Sequence, residues 1–250
     1  MSISPISTTD TNKDKYLKLK VAATSALGVG CAFAHVTKSQ GFKLSPKAIK
    51  DTPIKDWAIF RLYDKNNPLK KDIELGGKEI IELASASVAG GLTGGLLFDD
   101  KKYRSSKLKE AVNQLLGNVL VPIGCVWGIS KLYSKHKETI MSLVPQMKET
   151  GKKSHIFNKT LKCIPFSVAT LGALSIGIFT GNRVSNYLNE KVFKKKVDRD
   201  VKVSDFAPHV DDIGVAVSLM ADKSKVSSFI QRTVPLFLCV PGYETGIHRD

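Results

Sequence analysis

The residues whose types and spacing could do chemistry are few and scattered. Glu79 and Glu82 stand one helical turn apart after Gly76-Gly77 and could together receive a cation. Acids in a first turn also answer the positive end of a helix dipole, and that is the expected role here. Asp205, His209, Asp211 and Asp212 offer metal-ligand atoms, yet beside Ser204 and Pro208 they equally suit a helix start, so neither metal nor cofactor is expected. Asn113, Gln114 and Asn118 fall on one side of a helix, where they would line a polar path or, as expected, bond between helices. Cys31, Cys125, Cys163 and Cys239 lie in apolar surroundings without Cys-x-x-Cys spacing and read as small packing residues.

The sequence contains no phosphate-binding Gly-x-x-x-x-Gly-Lys, no Gly-x-Ser-x-Gly and no His-Glu-x-x-His, so no enzymatic activity is expected. Four stretches hold no Asp, Glu, Lys or Arg: Val21 to Thr37, Leu83 to Phe98, Ala111 to Ser130 and Cys163 to Asn182, of 17, 16, 20 and 20 residues. His35 is the one side chain within them that could serve a proton relay. That scarcity argues against proton-coupled transport, because ionisable groups in a bilayer are costly and mark function.

These stretches are the elements that would position everything else. Crossing a bilayer core takes roughly 20 helical residues, which two of the stretches meet and two approach. Lys18, Lys20 and Lys38 flank the first and can snorkel. The chain as a whole has a mean hydropathy of -0.07 and a net charge of +15, but almost all the charge lies between the stretches. An all-α fold follows: an integral membrane bundle of about four short helices, near 21-37, 79-98, 111-130 and 163-182. The competing reading, buried helices of a soluble or exported domain, fits less well, because soluble helices of this length carry a charged outer face.

Small residues recur every fourth position, placing them along one face of each helix: Ala22, Ala26, Gly30 and Ala34 in the first; Gly90 and Gly94 beside Gly91 and Gly95 in the second; Gly124 and Gly128 in the third; Ala169, Ala173, Gly177 and Gly181 in the fourth. Such stripes let helix backbones approach closely in lipid. They are the expected packing residues, while Leu96 and Leu174 are expected to face lipid. Gly30-Cys31-Ala32-Phe33 resembles Gly124-Cys125-Val126-Trp127, and Leu92-Thr93-Gly94 resembles Phe179-Thr180-Gly181, a pattern consistent with two related hairpins.

Residues 1-20 read as a basic arm, 21-183 as the bundle and 184-250 as an amphipathic helix with a small lobe. Ala32-Phe33-Ala34 resembles a leader cleavage site, but the striped first helix is expected to remain in the mature protein. In the tail, Lys191, Lys194, Lys195, Lys196 and Arg199 would meet anionic lipid headgroups; without interleaved aromatics for stacking, nucleic acid is not the expected partner. Pro241-Gly242 reads as a turn. Lys and Arg number twenty on one side of a four-span topology and eighteen on the other, so charge bias sets no orientation. The expected role is structural or partner-binding within the membrane, with a second copy or another membrane protein as partner. A passive channel for a small neutral solute is the rival.

Overall fold

The computed structural model describes residues 10–42, 44–51, 73, 75–148, 151–194, 200–210, 213 and 236–249. They form an all-α bundle, without a strand among the described residues. Helix α1 spans Asp10–Ser39, the short α2 Pro46–Asp51, and α3 Gly77–Phe98. A longer rod, α4, runs from Lys101 to Lys135, with a π-helical turn at Gln114–Leu120. Then come the short α5, Lys137–Ser142, and α6, Lys152–Tyr187, which continues through a π-helical turn at Leu188–Val192. A 3-10 segment, Val203–His209, and the terminal helix α7, Val240–Ile247, complete the set.

Local chemistry sets several boundaries. Helix α1 stops because Gly41 takes φ 85, a left-handed conformation that glycine adopts without a Cβ clash. Phe42 N–H then donates to Thr37 O, and Gly41 N–H to Lys38 O, closing a Schellman motif. Helix α3 starts where the Glu79 carboxylate accepts the Gly76 N–H at 3.0 Å.

Helices α1 and α3 form one antiparallel pair, with His35 beside Glu82 at one end and Lys20 over the Phe98 ring at the other. Helices α4 and α6 form the second, joined along Gly117–Gly181, Pro122–Gly177 and an edge-on contact of Tyr133 with Phe166 at 5.3 Å. Val29, Val36, Phe42, Ile80, Leu83, Val119, Ile123 and Leu238 make the apolar core between them. Four helical stretches are long and apolar enough to cross a membrane: Tyr16–Ser39, Gly77–Phe98, Lys101–Lys135 and Phe157–Val192. All four extend beyond the uncharged stretches of the sequence, because flanking charged residues continue the same helices.

The glycines divide into those at crossings and those in the open. On α3, a Cβ at Gly90 would overlap the Thr24 carbonyl of α1, and one at Gly94 would overlap the Thr24 hydroxyl. Gly91 and Gly95, rotated to the adjacent face, meet Gly242 and Gly246 of α7 instead. On α6, Gly181 lies against the Gly117 carbonyl and Gly177 against the Pro122 backbone; Ala173 is buried and Ala169 half-buried. Gly30, Gly124 and Gly128 lie away from the crossings within this chain, since a Cβ on any of them would meet nothing within 4 Å. Ala26 is likewise exposed, and Ala22 and Ala34 are half-buried. Helix α1 turns Val21, Ser25, Val29, Ala32 and Val36 inward and approaches Ala86 through Gly28. Its second four-residue stripe, one step round the helix, is bulkier and more apolar and so takes the core. Leu174, expected to face lipid, is instead buried at 2% exposure.

Candidate functional site: a buried polar network on α4

Lys107, Glu110, Gln114 and Asn118 follow one another at spacings of three, four and four, so they stack along one face of α4. That face is buried. Gln114 Nε2 donates to Glu110 Oε1 at 2.7 Å and to Glu244 Oε2 of α7 at 2.9 Å. Asn118 Nδ2 donates to Gln114 Oε1 at 2.9 Å and to Asp205 Oδ1 at 2.7 Å, and Asn113 Nδ2 to Asn189 Oδ1 of α6 at 3.1 Å. The three amides therefore tie α4 to α7, to the 3-10 segment and to α6. The π-helical turn holds Gln114 and Asn118, and such turns often accompany sites where side chains are re-aimed.

Pro122 explains the position of His209. Proline has no N–H to give the carbonyl four residues earlier, which here belongs to Asn118. His209 Nε2 lies 2.8 Å from that oxygen, and since a carbonyl can only accept, the imidazole donates through its Nε2–H. The ring is fully buried. Burial lowers its pKa from 6.5 to about 4, against the smaller opposing pull of the Asn118 carbonyl. The unfolded chain therefore takes up this proton first. Stability from the neutral ring is complete above about pH 6.5 and declines as pH falls towards 4, by about 3 kcal/mol in all. The thermal unfolding midpoint in detergent should drop across that window, and His209→Gln, which keeps a donor but does not titrate there, should flatten the drop. An equally steep decline in the variant would assign it to another group.

At the far end of the network α7 is clamped. Lys107 Nζ donates to Gly246 O at 2.5 Å and His248 O at 3.0 Å, the negative end of the α7 dipole, and pairs with Asp99 Oδ2 at 2.8 Å. Arg249 adds a two-pronged contact to Asp99, at 3.1 and 3.2 Å, and lies 5.2 Å from the Tyr103 ring centre. Burial works against the Asp99 carboxylate, but hydrogen bonds from Lys107, Arg249 and the Asp100 N–H outweigh it and hold its pKa below 3.8.

The residues singled out in the sequence are largely engaged by neighbours. Glu79 caps α3, and Glu82 Oε1 lies 2.5 Å from His35 Nδ1, so the two carboxylates take separate partners. Asp205 accepts from Asn118 with one oxygen and from the Lys202 N–H with the other, at 2.8 Å. Asp211 and Asp212 lie outside the described residues, among which no three metal-ligating side chains cluster. Lys191 is exposed and paired with Glu190 at 2.7 Å, and Lys194 is exposed; Lys195, Lys196 and Arg199 lie outside the described residues. Cys31 is exposed, whereas the other three cysteines are half-buried.

Asp99, Lys107, Glu110, Glu244 and Arg249 are absent from the candidates drawn from sequence, because the first three read as the charged borders of apolar stretches and the last two lie far beyond them. The repeating spacing of Lys107 and Glu110 with Gln114 and Asn118 is the signal that places them on the same helix face.

Fold and network together define a class: an all-α bundle of long apolar helices whose polar side chains turn inward onto one another. No known protein family, curated protein or solved structure matches the chain.

Proposed function

We propose that the chain is a multi-pass integral membrane protein with a structural or partner-binding role in the bilayer. One observation carries the reading: no more than 44% of any of the four apolar windows is buried, while Lys107, Glu110, Asn113, Gln114 and Asn118 are. Leu27, Leu97, Leu120, Trp127, Val168, Ile176 and Phe179 all face outward from the long helices. An outside this apolar and an inside this polar suit lipid as solvent. A structural role is favoured over conduction because the hydroxyls a channel would present are bonded within their own helices. Thr24 and Ser25 donate to Val21 O, Thr37 to Phe33 O, Thr93 to Ala89 O and Ser175 to Leu171 O. We assign the chain no catalytic step.

In this reading the ends of α3 and α6 and the starts of α1 and α4 share one membrane face, and Lys191, Lys194, Lys195, Lys196 and Arg199 meet anionic headgroups there. A second copy or another membrane protein is the partner. After alkaline carbonate washing the chain should stay in the membrane pellet. Single cysteines introduced as Lys101→Cys and Lys191→Cys should label from one side, and Gln40→Cys and His136→Cys from the other. Release of the chain into the supernatant would refute membrane integration, and labelling of all four from one side would refute the topology.

A further inference from the structure

Between the first turn of α3 and the second half of α4 lies a groove of about 760 Å³, within the size range of ligand sites. Ile81, Leu120, Ile123 and Val126 give it apolar walls. Gly124 lines it with no side chain, and a Cβ there would meet nothing within 4 Å. Towards the helix ends the lining turns polar, with Lys78 and Ser130, and Trp127 stands at the rim, 62% exposed, with Lys131 Nζ 3.8 Å from the centre of its ring. Glu79 also lines the groove, but its carboxylate is bent back onto the Gly76 N–H.

We propose that this groove seats an acyl chain of an anionic phospholipid, with the phosphate held by Lys78 and Lys131. The inference rests on the membrane reading above. An apolar slot that ends in a tryptophan and two lysines has the polarity gradient of half a bilayer, and Trp and Lys belong at headgroup level. The two ammonium groups complement a phosphate, and Lys78 sits in the first turn of a 22-residue helix, where the dipole adds to its charge. A zwitterionic lipid offers the same chain but carries its own cation, so charge selects the anionic headgroup.

The chain has two tryptophans, so Trp57→Phe leaves Trp127 as the only reporter. This full-length variant is reconstituted into phosphatidylcholine vesicles that contain a minor fraction of either brominated phosphatidylglycerol or brominated phosphatidylcholine, and quenching of Trp127 is compared. The anionic lipid should quench about twofold more strongly at equal mole fraction. Gly124→Leu, which fills the slot from an open position, should abolish the difference, as should Lys78→Gln combined with Lys131→Gln. Equal quenching by the two lipids would overturn the site and leave the membrane reading intact. A preference that survives in either variant would overturn the site as well. Absence of quenching by both lipids would place Trp127 outside the bilayer and overturn the membrane reading itself.

Discussion

Leucine at Gly91 is expected to unseat α7 from the bundle. A Cβ at this position would overlap the Gly242 carbonyl and lie 2.7 Å from the Gly242 Cα, and neither atom belongs to a side chain that could swing away. Both helices would have to separate. Separation also breaks the bond from the Gly242 N–H to Ser87 Oγ, at 3.2 Å, and pulls Gly246 from Gly95. Close backbone contact is what holds helices together where lipid supplies no hydrophobic drive, so a forced gap removes most of the attraction along the seam. Limited proteolysis in detergent should cut the carboxy terminus of Gly91→Leu and spare that of the parent. Gly30→Leu and Gly128→Leu, at positions open to their surroundings, should behave as the parent does. Equal protection of Gly91→Leu would mean that α7 does not rest on this face.

The contrast between these glycines shows how far the sequence could be read. Four helices were legible because each needs a long run without charge, and such runs are rare by chance. Which face of α1 packs was not, since two stripes of modest residues lie one step apart on the same helix and their partner is remote in sequence. Gly-Gly-Leu-Thr-Gly-Gly could be recognised as a packing run. That its two glycine pairs serve two different helices depends on α7, 150 residues further along. Pro241-Gly242 looked like a turn and is instead the first turn of α7, where proline loses nothing by lacking an N–H. Its glycine is there for Gly91.

The polar network was only half legible for a related reason. Asn113, Gln114 and Asn118 stood out because they interrupt an apolar run. Lys107 and Glu110 border that run, and a charged residue in that place reads as lying outside the core. They are inside, because carbonyls of α7, Asp99, and the Gln114 amide supply partners that make burial tolerable. Charge along the chain marks where a partner is needed, and only the folded chain reveals whether one is supplied.

Lys107→Met tests that view most directly. Methionine keeps much of the length of the stem but removes the ammonium, leaving Asp99 buried with Arg249 as its remaining cation among the described residues and taking a donor from Gly246 O and His248 O. Breaking a buried pair in this way costs about 3–5 kcal/mol, because the partner left behind keeps its desolvation penalty. Asp99→Leu should cost a similar amount. Combining the two removes both charges together, so the double variant should be more stable than the sum of single losses predicts, by about 1–3 kcal/mol. Strict additivity of the unfolding free energies would show that the pair contributes nothing as a pair. Acid supplies a readout that packing alone would not move. The Asp99 carboxylate titrates below its ordinary 3.8, so its stabilisation is present above that pH and is lost as pH falls through the lower folded value. Protease exposure of the carboxy terminus should therefore begin only below about pH 3.8 in the parent. In Lys107→Met the largest hydrogen bond holding that carboxylate ionised is gone, and exposure should begin at a higher pH.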